Sequence, residues 1–422
     1  MANTHVKYLL IGGGLASSAA AQAIRERDAS GSLLLVGQEV NRPYDRRPMS
    51  ADYLLGRTTR SELFTLDEAW FGNHGVELRT RVRATRLDPE RQIAVLDSGD
   101  EITYDKALLA TGATPNILRI PGAELPNVHY LRTLEQADRL HNAIEKALGE
   151  GRKHMRGRGR VTVIGGGTLG VELATALHQL GLGVDLIVSR AFPWPRYVGE
   201  STGRFFTRLL EARGIRVHVN TAAQRLDGDG RVQRVVLPNG PLLETDFVVV
   251  AIGVTPNKDL LRGTAITAEQ AVLVDDHGRT NNSTVFAAGD CAAIYDGRFD
   301  KYRMLCLWNG AQATGRLTGL NMAGADEKFE TLTGFTSSII EVPVAVWGAA
   351  RAVDHRLQRG QAFVDAPDFA DIGVGVDQRV AQVIAVGRAT EDPSLPELVR
   401  RRAPVDDREE ELKDLRTNLG NI

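Results

Sequence analysis

The sequence predicts an α/β fold: two doubly wound, mostly parallel sheets in series, followed by a smaller C-terminal α+β domain. Three observations predict it. Glycine supplies 43 of the 422 residues, about a tenth, against a usual ~7%. Six of these glycines stand as two triplets, Gly12 to Gly14 and Gly165 to Gly167. Each triplet follows a short apolar run and precedes a stretch rich in Ala and Leu, which reads as strand, turn and helix. At ~150 residues per domain the chain has room for two to three domains.

Composition bounds the function. The 51 basic and 53 acidic residues leave a net charge of −2, which removes the strongest compositional argument for a nucleic-acid binder. The two cysteines, Cys291 and Cys306, are too few for a disulfide scaffold and too far apart for a CxxC redox pair or a zinc cluster, so no metal site is expected. Any redox chemistry must come from a bound cofactor. Gly12 to Gly14 interrupt the apolar run after Lys7 where a secretory signal would be continuous. No stretch approaches ~18 uninterrupted apolar residues, so no membrane span and a cytoplasmic location are expected.

The first glycine turn lies between a strand, Val6 to Ile11, and a helix over Ala19 to Arg27. Gly12 permits the tight turn, Gly14 lets a pyrophosphate approach the backbone, and Ser17 is small enough for close helix–strand packing. Free N–H groups at the helix start would face the phosphates. A buried strand, Leu33 to Val36, follows, and Glu39 stands just past it, placed to accept hydrogen bonds from a ribose. The pattern recurs as strand Arg160 to Ile164, the turn with Gly165, Gly167 and Gly170, a helix through Leu180, and strand Val184 to Val188. Two such units imply two dinucleotide sites. The second strand ends at Ser189-Arg190, without an acid. Arg190 and Arg196 either pair with the 2′-phosphate of NADPH or are solvated loop residues, with NADH then the coenzyme.

Further strings occur in order: Tyr104-Asp105-Lys106-Ala107-Leu108-Leu109-Ala110-Thr111-Gly112, then Phe247 to Ile252 with Gly253-Val254-Thr255-Pro256-Asn257, then Thr284-Val285-Phe286-Ala287-Ala288-Gly289-Asp290. With the two glycine turns they resemble the FAD/NAD(P)-dependent pyridine-nucleotide oxidoreductases of the glutathione reductase type. The resemblance implies two Rossmann-like domains: FAD in residues 1–117 and 253–327, NADPH or NADH in 118–252, and a flavin-covering or interface domain in 328–422. It assigns Gly12, Gly14, Ser17, Glu39, Arg46, Ala51, Thr111, Gly112, Asp290 (on the ribityl chain) and Trp308 to FAD. Gly165, Gly167, Gly170, Glu172, Arg190, Arg196 and Gly253 fall to NAD(P).

The segment Pro43-Tyr44-Asp45-Arg46-Arg47-Pro48-Met49-Ser50-Ala51-Asp52-Tyr53-Leu54 is similar to the ferredoxin, rubredoxin and putidaredoxin reductase branch, which lacks the redox cysteine pair. That branch implies hydride transfer from NAD(P)H to FAD, then electron delivery to an external, ferredoxin-like iron–sulfur carrier. A slow-turnover flavoprotein sensor and an NAD(P)H oxidase acting directly on oxygen or a small molecule are the alternatives. One departure stands out: Ala51 replaces a family lysine that pairs near flavin N5 with the glutamate matching Glu172. Glu172 is therefore expected either to have a raised pKa or to pair with Arg46 or Arg47, and Glu172 and Arg47 are the catalytic candidates. The alternative role for Glu172 is simply an acid favoured by the helix dipole.

Leu307-Trp308-Asn309-Gly310-Ala311 opens a helix to Met322, closed by Gly324. In relatives this helix points its N-terminus at the flavin. Trp308 either stacks near the flavin or the acceptor surface, or packs in the core. Ser337 to Val342 and Val344 to Trp347 read as strands, in a domain whose role is either acceptor dock or homodimer interface. The basic segment 152–160 reads as an inserted loop, either a docking patch or solvated. Asp406 to Arg416 reads as an exposed helix.

Overall fold

The computed structural model describes residues 3–153, 159–238, 240 and 242–422. The chain forms two compact units, one from Met1–Arg47, Thr59–Thr114 and Thr255–Thr333, the other from Pro48–Thr58, Pro115–Val254 and Gly334–Ile422. Among the described residues no helix is long and apolar enough to cross a membrane.

The first unit is built on a sheet whose parallel strands run in the order Val76–Thr80, Leu33–Gly37, Asn3–Ile11, Glu101–Leu109 and Val285–Ala287. Ile93–Leu96 and Ala84–Asp88 extend it as antiparallel strands. Leu33–Gly37 is buried along its whole length, as a parallel strand covered on both faces must be. Helix Leu15–Arg27 follows the central strand and packs against helix Trp308–Met322. Small residues set that distance: a Cβ on Gly315 would lie 2.2 Å from Ala16 O, and one on Gly319 would lie 2.4 Å from Ala20 O. Larger residues would push the two backbones apart.

The second unit repeats the scheme with parallel strands Arg216–Val219, Gly183–Val188, Arg160–Ile164, Phe247–Val250 and Val128–Tyr130. Helix Thr168–Gln179 follows its central strand. In both units the chain leaves the central strand where the strand order reverses, the switch point at which α/β sheets bind ligands beyond the carboxyl ends of their strands.

The C-terminal part of the second unit is an antiparallel sheet ordered Gly334–Ile339, Val342–Gly348, Val380–Gly387, Asp368–Val374, His355–Gln361. Its first two strands end and begin around Ile340 and Glu341, both with positive φ (45° and 66°). These two residues are therefore a tight hairpin turn, where the sequence pattern read one strand through Val342.

Two segments differ from the sequence reading. Of the basic segment 152–160, residues 154–158 lie outside the described residues, and helix Leu134–Lys153 runs through its first two positions. The tail is docked: only Glu409–Lys413 is helical, Leu412 and Leu419 are buried, and Arg359 donates to the carbonyls of Asp414, Leu415 and Thr417. Charge alternation cannot report a buried arginine 55 to 58 positions upstream of the tail carbonyl groups that it satisfies.

Candidate functional site

The first unit carries a glycine cradle at its switch point. Gly12 has φ +130°, and a Cβ there would lie 2.0 Å from Ala110 O, just past the neighbouring strand. Only glycine fits that approach. A Cβ at Gly14, by contrast, would meet nothing within 4 Å, so the turn is open on the side facing away from the protein. Gly14 caps helix Leu15–Arg27 with no side-chain hydrogen bond, which leaves the first amides available to an anion. Ser17 is fully buried at the bottom of the turn, its hydroxyl without a hydrogen-bond partner.

Around this cradle, Glu39 lies just past strand Leu33–Gly37. Tyr44 OH donates to its Oε2 and Arg46 Nη2 to its Oε1, each at 2.5 Å. A carboxylate has about four lone-pair directions, so Glu39 keeps acceptor capacity for ribose hydroxyls while held by this pair. Asp290 sits in the turn Gly289–Cys291 after strand Val285–Ala287, partly exposed, and its charge acts on Arg46. Helix Trp308–Met322 likewise starts without a side-chain cap. Trp308 is partly exposed, with the Arg47 guanidinium 4.4 Å over its ring, a cation–π pair.

Thr111 and Gly112 are tied to a residue that sequence reasoning passed over. Asn257 donates from Nδ2 to Thr111 O (2.8 Å) and from its backbone to Gly112 O (2.9 Å), while the Thr111 hydroxyl donates to Asn257 O and that of Thr114 to Asn257 Oδ1. The only signal was the asparagine at the end of the Gly253–Asn257 string.

The cysteines are free. Cys291 is fully buried and donates to Leu109 O and Ala288 O at 3.3 Å. Burial pushes its thiol pKa up, which suppresses the reactive thiolate.

The second unit carries the matching cradle. Gly165 has φ +127°, and its Cβ would lie 2.2 Å from Ala251 O. A Cβ at Gly170 would lie 1.8 Å from Gly165 O, and one at Gly167 would meet nothing within 4 Å. Gly167 begins helix Thr168–Gln179 without a side-chain cap. Strand Gly183–Val188 ends at exposed Ser189 and Arg190, and no carboxylate among the described residues pairs with Arg190. The following loop is anchored by buried Trp194, whose backbone N–H donates to Gly166 O at 2.7 Å. Arg196 is exposed, 5.8 Å from the Tyr197 ring. Gly253 has φ +94°.

Ser50 and Ala51 belong to this second unit. The Ser50 hydroxyl donates to Glu172 Oε2 and the Ser337 hydroxyl to Oε1, both at 2.8 Å. Of the two expectations for Glu172, the structure gives the raised pKa: burial pushes it up, the serine hydroxyls pull back, and Asp52 adds to the rise. Neither Arg46 nor Arg47 is its partner. Arg46 is taken by Glu39 and Tyr44, and Arg47 by Trp308 and Asp45.

Both cradles thus fit an extended dinucleotide with its pyrophosphate on a helix start. The pyridine nucleotide-disulphide oxidoreductase family matches residues 6–315. Rhodocoxin reductase of Rhodococcus erythropolis is 30% identical over 367 residues, covering 86% of this chain and 83% of the relative. The ferredoxin–NAD(+) reductase component of the biphenyl dioxygenase system of Paraburkholderia xenovorans is 34% identical over 284 residues, 67% of each chain. Among solved structures, a ferredoxin reductase from Rhodopseudomonas palustris superposes with a TM-score of 0.89 at 26% identity, covering 99% of both chains.

Proposed function

The chain belongs to the pyridine nucleotide-disulphide oxidoreductase family, and we propose that it is an FAD-dependent NAD(P)H oxidoreductase that passes electrons to a small iron–sulfur carrier of the ferredoxin type. The observation that carries this reading is the pair of glycine cradles, each with its open glycine at a switch point, in a chain whose two cysteines form no disulfide. When bound, FAD supplies the conversion of a two-electron hydride into single electrons.

The protein's part is binding, orientation and electrostatics. In the unit built on Gly12, that glycine and Gly14 would admit the pyrophosphate, Glu39, fixed by Arg46 and Tyr44, would hold ribose hydroxyls, and Asp290 would take the ribityl chain. With FAD bound, the uncapped start of helix Trp308–Met322 would favour negative charge placed at it by of order 1 kcal/mol. In the unit built on Gly165, that glycine, Gly167 and Gly170 bring the coenzyme pyrophosphate onto the helix Thr168–Gln179. Arg190 and Arg196 would receive a 2′-phosphate, which makes NADPH the preferred coenzyme: among the described residues the Arg190 guanidinium has no carboxylate partner, and the strand end Ser189-Arg190 offers no acid for a ribose. With the two cysteines unjoined by a disulfide, and Cys291 buried with its thiol disfavoured as an anion, electrons would leave to an external acceptor rather than through a dithiol. The setting is cytoplasmic, where such carriers and NADPH are available.

The test is anaerobic. Enzyme reduced with one equivalent of NADPH is mixed with an oxidised [2Fe–2S] ferredoxin, and flavin reoxidation is followed with ferredoxin reduction. Reoxidation coupled to ferredoxin reduction supports the reading. Flavin that stays reduced until oxygen is admitted contradicts it and favours an oxidase.

A further inference from the structure

Glu172 is a half-buried titratable group whose carboxylate has no cationic partner among the described residues. It stands on the helix Thr168–Gln179, two positions beyond Gly170 of the second cradle. Both its oxygens accept from neutral hydroxyls, Ser50 on one side and Ser337 on the other. No Lys, Arg or His among the described residues lies within ion-pair distance of it. The elements packed against it bring little compensating charge. Its own helix holds one other titratable residue, His178; of the strands packed on that helix, Arg160–Ile164 brings Arg160, which pairs with Glu244, and Gly183–Val188 brings Asp185, which pairs with Arg216 and His218. Segment 48–58 brings Asp52 and Arg57, which face each other at 3.8 Å, and Tyr53, whose hydroxyl donates to Asp138. Strand Gly334–Ile339 has no titratable residue. Asp52 acts on Glu172 in the same direction as burial.

We infer that Glu172 takes up one proton from solvent when a dinucleotide binds on the Gly165–Gly167 turn, so that coenzyme binding by this unit is coupled to proton uptake. This rests on the reading that the turn takes NAD(P)H. The pyrophosphate places negative charge at the start of the helix that carries Glu172, and the bound coenzyme replaces water near a carboxylate that is only partly exposed. Both changes disfavour the ionised form. The balance is simple: free enzyme with Glu172 as carboxylate, coenzyme and one solvent proton give a complex with Glu172 as carboxylic acid. The serines accommodate either form. A hydroxyl that donates to a carboxylate can rotate and accept from the acid, which an ammonium or guanidinium partner cannot do. Coenzyme affinity then falls as pH rises through the interval between the free and bound pKa values of Glu172, by at most tenfold per pH unit for one proton.

Isothermal titration of the FAD-loaded protein with NADP+ and with NAD+, in buffers of different ionisation enthalpy, counts protons taken up per coenzyme bound. Wild type is expected to take up more than Glu172→Gln, with the excess approaching one proton in that pH interval. Any proton exchange by the 2′-phosphate is common to both proteins and cancels. Ser50→Ala, which removes a donor to the ionised form, is expected to shift the excess to higher pH. Equal proton uptake by wild type and Glu172→Gln at every pH where the protein keeps its FAD overturns the inference while leaving the coenzyme reading intact. If wild type binds neither nucleotide, the coenzyme reading itself is overturned.

Discussion

Gly165→Ala asks whether the second cradle is what binds the coenzyme. The added Cβ would stand 2.2 Å from Ala251 O, a backbone atom that cannot rotate away, on a residue with φ +127°. Holding alanine in that region costs about 1–3 kcal/mol, so the turn must shift outward instead. That shift moves Gly166, whose carbonyl is held by the Trp194 backbone N–H at 2.7 Å, and with it the open amides at Gly167. If the strain is relieved at the expense of the bound geometry, NADP+ affinity falls by about ten- to a hundredfold, at 1.36 kcal/mol per factor of ten. Gly167→Ala is the companion variant. It has an ordinary φ of −76° and no protein atom within 4 Å of its new Cβ. It should therefore leave thermal stability unchanged and still weaken the coenzyme, because the methyl group occupies the space the pyrophosphate needs. The assay pairs a binding titration of the FAD-loaded variants with their FAD-to-protein ratio. Full FAD content with weakened coenzyme is the expected result for both. Unaltered coenzyme affinity in both variants would refute the assignment of this turn.

Three further outcomes are expected. Arg190→Glu should lower kcat/KM for NADPH by about tenfold, the scale of one charge-assisted phosphate contact, and change that for NADH far less. A parallel loss with both coenzymes would sink the 2′-phosphate role. Alkylating the partly exposed Cys306 with iodoacetamide should leave carrier reduction unchanged, and a rate that dies with thiol modification would restore a thiol relay. Asn257→Ala should lower stability by about 1–2 kcal/mol, visible as a lower Tm, because the Thr114 hydroxyl and Thr111 carbonyl lose their partner. An unchanged Tm would show that this tie holds nothing.

What could be read in the chain follows the range of each signal. Gly12 and Gly165 announce themselves because a tight turn between apolar strand and helix is written in adjacent residues, and the structure puts both at switch points. The raised pKa of Glu172 was one of two readings of a single missing lysine at position 51. Its serine partners were hidden, since Ser50 and Ser337 lie 122 and 165 positions from it and serine carries no pattern of its own. Asn257 was hidden in the same way, because its role is to join segments 146 positions apart. The hairpin at Ile340 and Glu341 was missed because neither residue is a turn former; strand pairing, not propensity, imposes their positive φ. The tail was misread because its charges were visible and the buried Arg359 that holds it was not.

This protein moves electrons from a reduced nicotinamide to its flavin, and we expect it to do so without a thiol. Anaerobic mixing of the FAD-loaded protein with NADPH or NADH, followed at the flavin absorbance, tests it most directly. The flavin should bleach with one equivalent of coenzyme, faster with NADPH, and equally well after both cysteines are replaced by alanine. A flavin that stays oxidised with both coenzymes, or bleaches only while the cysteines are present, would contradict it.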